Sequence, residues 1–272
     1  MFFCLIAALT CLSSSAQTLS KETILIETSV GNIKIKLYEE TPLHKANFLS
    51  LVKKKFYHKT LFHRVIGSFM IQGGDPLSKK AKTGDSLGHG DLGYTIPAEI
   101  KPTLIHKRGA LCAARESDAI NPTFASSASQ FYIVVGKKRS MEDLKKYEDR
   151  INKAYDANTG RLFLMSDQGS RLKKLYNRLK DEQKTDSANV VNQVIEDSIQ
   201  NRKKGHPPYQ FNETQVNQYT TIGGTPHLDG TYTVFGEVIE GMEIVEYISK
   251  VKTDKRDRPL EDIRIKMKIL KE

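Results

Sequence analysis

The run Phe62-His63-Arg64-Val65-Ile66-Gly67-Ser68-Phe69-Met70-Ile71-Gln72-Gly73-Gly74-Asp75 constrains this chain more than any other stretch. Read as a strand, its side chains alternate between two faces. Arg64 and Gln72 lie an even number of residues apart and so share one face of a continuous strand. Phe69 breaks that parity. Gly67 and Ser68 just before it can supply a bulge or bend that resets it. The product is a rigid apolar patch, with Phe69 and Met70, that carries one permanent cation and one amide. Such a patch suits an apolar ring with peptide groups on either side.

Two later segments complete the pattern. Ser129-Gln130-Phe131-Tyr132-Ile133-Val134-Val135 is a strand-like apolar run with a second amide. His227 to Val238 carries an Asp229-Gly230 turn signal followed by β-branched and aromatic residues, the pattern of a hairpin. In this order the three runs resemble the cyclophilin family of peptidyl-prolyl isomerases. The resemblance covers Ile24 to about Val135 and Thr220 to about Leu270. It implies a mainly β fold: an eight-stranded antiparallel β-barrel capped by helices, its interior packed with apolar side chains. It also implies an isomerase that works on proline-containing polypeptides at a site on the outer surface, with no cofactor. His58 and His63 lack the i, i+4 spacing of the zinc motif and no acidic partner converges on them in sequence, so no metal is expected.

The resemblance assigns roles residue by residue. Arg64 and Gln72 are the catalytic pair, and Phe69, Met70, Tyr132 and Leu228 line the proline-ring pocket. Gln130 joins Gln72 in binding or orienting peptide groups. The Arg115 backbone pairs with the substrate chain, with Ala114 beside the groove. His227 and Tyr232 sit at the rim. Four positions depart from the common pattern. Tyr132 stands where Phe is usual, Arg115 where Asn is usual, and Tyr232 where His is usual. His227 replaces a rim aromatic, often Trp. Its imidazole is expected to charge near neutral pH and to weaken apolar cyclic ligands. Taken singly, Arg64 is an ordinary surface cation and Phe69 and Met70 are ordinary core. The three runs together favour the catalytic reading. A non-catalytic peptide-binding chaperone with the same groove is the main alternative.

The chain begins with a short apolar run, Phe2 to Leu12, then small residues to Ala16. Residues 1–16 read as an export signal, too short to span a bilayer. No Lys or Arg precedes the run. A periplasmic protein of bacterial type is expected, with a lipid anchor at Cys11 a lesser option. Removal of residues 1–16 takes Cys4 and Cys11 and leaves Cys112 as the one thiol, so no internal disulfide forms. The chain has 272 residues and a net charge of +10. Its lysines are scattered without interleaved aromatics, which argues against a nucleic-acid partner. A monomer with no integral membrane segment is expected after signal removal.

Thr23 to Tyr38 reads as two strands around Val30-Gly31-Asn32, and Thr41-Pro42 as a capped helix start. Gly88-His89-Gly90-Asp91-Leu92-Gly93 is a formal dinucleotide fingerprint, but no strand leads into it and Pro97 follows where a helix should run. His63 is expected to be a hydrogen-bonded structural histidine. The isomerase domain spans 22–272. It is interrupted by a polar stretch at 138–218 with apolar residues at helical spacing, read as an inserted satellite unit separable from the barrel.

Overall fold

The computed structural model describes residues 22–270; the expected leader, 1–16, lies outside them. Strands β1 (Thr23–Thr28) and β2 (Gly31–Leu37) form a hairpin whose isoleucines pair across it, Ile24 with Ile35 and Ile26 with Ile33. The two-residue alternation turns all four inward, where they are fully buried. Strands β3 (Thr60–Ile66) and β4 (Met70–Gly73) follow helix α1 (Pro42–Lys53). A short pair, β5 (Thr95–Ile96) and β7 (Ser126–Ser127), brackets β6 (Ala110–Ala113). Next comes β8 (Phe131–Val134), followed by four helices: α2 (Met141–Met165), α3 (Asp167–Asp181), α4 (Thr185–Lys203) and α5 (Glu213–Thr221). Strand β9 (Val234–Glu240), helix α6 (Met242–Ile248) and β10 (Arg264–Leu270) end the described chain.

Eight strands close a barrel in the order β1-β10-β3-β4-β8-β6-β9-β2, and every pairing is antiparallel. Its interior is solid. The rings of Phe48 and Tyr57 stand edge-on to Phe131, each 5.7 Å away. Helix α1 supplies Phe48, Leu49, Leu51 and Val52 to this core, and α6 supplies Val245 and Ile248. Burial of such side chains, at roughly 1.5–3 kcal/mol each, is the main force that closes the sheet.

Three local expectations change. Pro42 does open α1, but the Thr41 side chain does not cap it. Glu99, far away in sequence, does so: its carboxylate accepts from Leu43 N at 3.0 Å and His44 N at 2.9 Å. An anion at a helix N-terminus meets unsatisfied N–H groups and the positive end of the dipole. The 227–238 stretch is not a hairpin. A 3-10 turn, Pro226–Leu228, precedes Asp229-Gly230, and only β9 beyond them is strand. His63 is buried with no hydrogen-bond partner on either ring nitrogen, so it is not the hydrogen-bonded histidine expected.

The helices divide unevenly. The first half of α2 and the segment through α5 pack on loops that flank the barrel, against Ile105 and the Pro226–Leu228 turn. There Leu144, Ile151, Phe211 and Tyr219 form one apolar cluster with Ile105. Helices α3 and α4 pack on each other and on α2, and among the described residues no apolar cluster joins them to the barrel core. Phe163, Ala188 and Ile195 are buried in that outer unit, and Val190 and Val194 are exposed on its surface.

Candidate active site

Arg64 and Gln72 do share a face, though not along one strand. β3 and β4 fold back as a hairpin whose turn puts Ser68 in the left-handed region (φ 59°), and Arg64 stands directly opposite Gln72. Cross-strand pairing thus does what parity along a continuous strand was expected to do. Arg64 Nη1 donates to Gln72 Oε1 at 3.4 Å, and Arg64 Nε lies 3.7 Å from Asp257 Oδ2. Asp257 also accepts from Val65 N through its carbonyl, at 2.8 Å. Sequence reasoning missed Asp257, since it sits in a long loop between α6 and β10 with no motif to mark it.

Beside this pair is a pocket of about 140 Å³. Phe69, Met70 and Leu228 give it apolar walls, with Tyr132 and Tyr232 opposite, and Ala114 and Arg115 at one side. Arg64 and Gln72 stand at its mouth. The structure therefore gathers most of the candidate residues around one small apolar cavity. The two exceptions are Gln130 and His227.

Gln130 is buried and lies behind Gln72. Its Oε1 accepts from Gln72 Nε2 at 3.0 Å, and its own Nε2 donates to the carbonyls of Gly88 (3.0 Å) and Gly90 (2.8 Å). Gln130 orients Gln72 and is occupied by the glycine loop. That loop is the rejected dinucleotide match, and its glycines have a local reason. A Cβ on Gly90 would collide with the Asp75 carboxylate, which accepts from Gly88 N at 2.5 Å.

His227 packs at a tilt against Phe69, at 5.5 Å between ring centres, and against Tyr147 of α2 at 5.7 Å. Burial, with Arg150, His106 and Arg139 close by, holds its pKa down at about 4. The ring is therefore neutral at neutral pH, contrary to the expectation for a rim histidine.

Arg115 borders the pocket, and its side chain has a role apart from the substrate pairing expected of its backbone. Its guanidinium is a structural tie: Nε donates to Thr231 O at 2.8 Å, and Nη2 pairs with Asp118 at 2.7 Å. It lies over the Tyr232 ring at 4.2 Å and the Phe124 ring at 4.5 Å.

Tyr132 brings a hydroxyl to the pocket floor that must be satisfied when buried. It meets His106 Nε2 at 3.0 Å, and His106 Nδ1 meets Asp229 Oδ1 at 2.7 Å. The other Asp229 oxygen accepts from Tyr219 at 2.5 Å and Tyr209 at 3.4 Å. This buried line, from the pocket floor to the α5 helix, was not legible from spacing.

A second acid–histidine–hydroxyl line, Glu99–His44–Ser126, has contacts of 2.6 and 2.9 Å. Ser126 is 1% exposed and the carboxylate caps α1, so this line staples α1 to the β5–β7 pair and has no route to a substrate. Among the described residues no cluster of three His, Cys, Asp or Glu could hold a metal, and no helix is long and apolar enough to cross a membrane.

The family model for cyclophilin type peptidyl-prolyl cis-trans isomerases matches residues 23–155 and 165–269. The chain belongs to this family. A cyclophilin type isomerase from Cryptosporidium parvum shares the fold, with a TM-score of 0.52 and 20% identity over 92% of this chain and 98% of that one. Peptidyl-prolyl cis-trans isomerase CYP71 of Arabidopsis thaliana is 28% identical over 93% of this chain. The match spans only 25% of that longer cyclophilin. A peptidyl-prolyl cis-trans isomerase from Acinetobacter baylyi is 40% identical over 44% of this chain and 58% of its own length.

Proposed function

We propose that this cyclophilin accelerates rotation about X–Pro bonds in exported polypeptides, with Arg64 stabilising the twisted imide. The observation that carries the reading is the Arg64–Gln72 cross-strand pair at the mouth of an apolar pocket of ring size. Amide resonance opposes rotation with a barrier of roughly 18–20 kcal/mol. Halfway round, resonance is lost and the imide nitrogen becomes pyramidal and basic. A site that binds this state better than either planar isomer speeds exchange without breaking a bond.

Arg64 suits that task because its charge is permanent and its five donors are fixed in a plane. Gln72 and Asp257 engage two of its nitrogens, Nη1 and Nε. Nη2 and the second Nη1 hydrogen remain for the prolyl carbonyl and the developing nitrogen lone pair. The apolar pocket holds the proline ring while the preceding residue rotates. Gln130 fixes Gln72, and Gln72 in turn aims Arg64, so the donors are in place before the substrate arrives. The apolar run and small residues at 1–16 support an export signal and a periplasmic site of action. The reading is of a monomer that takes polypeptides and not nucleic acid.

The deciding experiment is cis-to-trans exchange of a short X–Pro peptide by wild type and Arg64→Ala. The variant should lose about 10²-fold in rate, as when one preorganised donor is removed from a site of this kind. Its circular dichroism should be unchanged, because Arg64 lies on the barrel's outer face. An equal rate in a folded variant overturns the assignment.

A further inference from the structure

Helix α2 adds a wall to the substrate groove. A second cavity of about 140 Å³ lies on the far side of Leu228 and Tyr232 from the proline pocket. Arg150, Ile151 and Ala154 of α2 form one wall, and Leu228, Thr231 and Tyr232 form the other. Leu228, Tyr232 and Arg115 border both cavities, so a chain lying in the first can place a neighbouring side chain in the second. The room is that of a single side chain, roughly four or five waters of liquid volume.

The charges around this cavity are unbalanced. Arg115 is paired with Asp118 at 2.7 Å, and Arg161 approaches the same carboxylate at 4.0 Å. Arg150 is exposed and has no acidic partner within ion-pair distance among the described residues. His227, which also lines the cavity, is neutral and adds no charge at neutral pH. In the lining, one carboxylate therefore faces two guanidinium groups, and Arg161 adds a third from beyond it. Ile151 and Ala154 make the base apolar, so the cavity takes a methylene stem with an anionic tip.

We propose that this cavity is a specificity subsite for an acidic side chain, Asp or Glu, near the proline of the substrate, and that Arg150 is its reader. The proposal rests on the isomerase reading for the placement of the proline. It fixes the flank as well: the favoured acid lies on the side of the proline away from the glycine loop, Gly88 to Gly93, which borders the other depression next to Gln72 and Gln130.

The test uses the full chain and short peptides around one X–Pro bond. Glu, Gln or Lys is placed in turn at each of the three positions before and after the proline. Both exchange rate and affinity, by fluorescence anisotropy of labelled peptides, are recorded. Wild type should favour Glu over Gln by about two- to five-fold, the range of an exposed charge pair, at positions on one flank only. Arg150→Glu should bring that ratio below one and favour Lys instead. Arg178→Glu, an equal charge change on exposed α3, should leave the ratio as in wild type. A ratio that is the same in wild type and Arg150→Glu overturns the subsite. So does an acid preference shared by both flanks, or one that Arg178→Glu also removes, since either marks the overall positive field. If wild type fails to catalyse exchange of any peptide, the isomerase reading falls, and the affinity ratios still judge the subsite.

Discussion

The β3–β4 hairpin that carries Arg64 and the α3–α4 pair are held in opposite ways. Each strand of the hairpin has a neighbour on both sides in a closed sheet, and its inner face is filled by the barrel core. The outer helices touch α2 and each other, and leave Val190 and Val194 exposed. A donor that must sit within a fraction of an ångström of a reacting bond belongs on the first kind of support. The second kind tolerates change. Helix α2 belongs to both, since its first half joins the barrel and its second half the outer pair. The line between what the site needs and what it does not therefore runs through a helix, not at its ends.

The harshest way to break this comparison is to replace Lys138 to Asn217 with a short Gly/Ser linker. A satellite unit separable from the barrel implies that a folded, active barrel remains. The structure leads to the opposite result, because Leu144, Ile151 and Phe211 leave the cluster with Ile105, and Asp229 loses its Tyr209 partner. Truncating even one such side chain costs about 2–5 kcal/mol. Urea unfolding should show a barrel weakened by more than about 3 kcal/mol or an insoluble chain; a wild-type midpoint would restore the satellite picture.

Gln130→Ala probes the rigid side. It frees Gln72 and strips two glycine carbonyls of their donor. Unpaired buried groups cost about 1–3 kcal/mol each, so stability and exchange rate should fall together. A variant with lowered stability but full activity would show that Arg64 does not need the amide chain behind it.

Acid tests the two parts together. His63 in the barrel and His227 at the α2 seam both have pKa values pressed down to about 4, chiefly by burial. The unfolded chain takes up those protons near pH 6.5. Between pH 6.5 and 4 the unfolded state therefore binds more protons, and stability falls as pH falls. The loss should be on the order of 5 kcal/mol across that window, about half from each ring. His227→Phe should flatten part of the slope in denaturant titrations. An unchanged slope would mean that His227 is solvated.

The mildest change sharpens the boundary. Tyr155 and His206 are 5.3 Å apart, and Lys203 reaches Asp156 at 3.2 Å. A short linker in place of residues 157–205 can thus join neighbouring ends. Stability should move by less than about 1 kcal/mol, with exchange unaffected. A collapse of either would move the boundary outward along α2.

Much of this was written in local pattern. The period-two isoleucines of β1 and β2, and the three runs that hold Arg64, Tyr132 and Leu228, mark the barrel and the pocket residues directly. What stayed hidden depends on partners distant in sequence. Glu99 caps α1 from 55 residues away along the chain. Gln130 reads as a free amide until the loop that occupies it is seen. His227 reads as a titrating rim group until Arg150 and Tyr147 arrive from a helix 80 residues upstream in the chain. Asp257 and Arg150 carry no motif at all. Their meaning is set wholly by what folding brings beside them.

Barrel closure also fixes an order of events for the nascent chain. β1 can pair with β2 at once, but its other neighbour is β10, and Lys268 meets Glu27 across 241 residues. Until those final residues emerge, β1 and β3 each present a bare edge, the kind that invites pairing with a stranger. Contacts so distant in sequence also form slowly. On the proposed activity, a chain that relieves slow steps in other polypeptides has a slow step of its own, and its vulnerability lies in the interval before β10 arrives. Loss of β10, or delay in its delivery, should appear as aggregation of newly made protein well before any fault in the pocket could be measured.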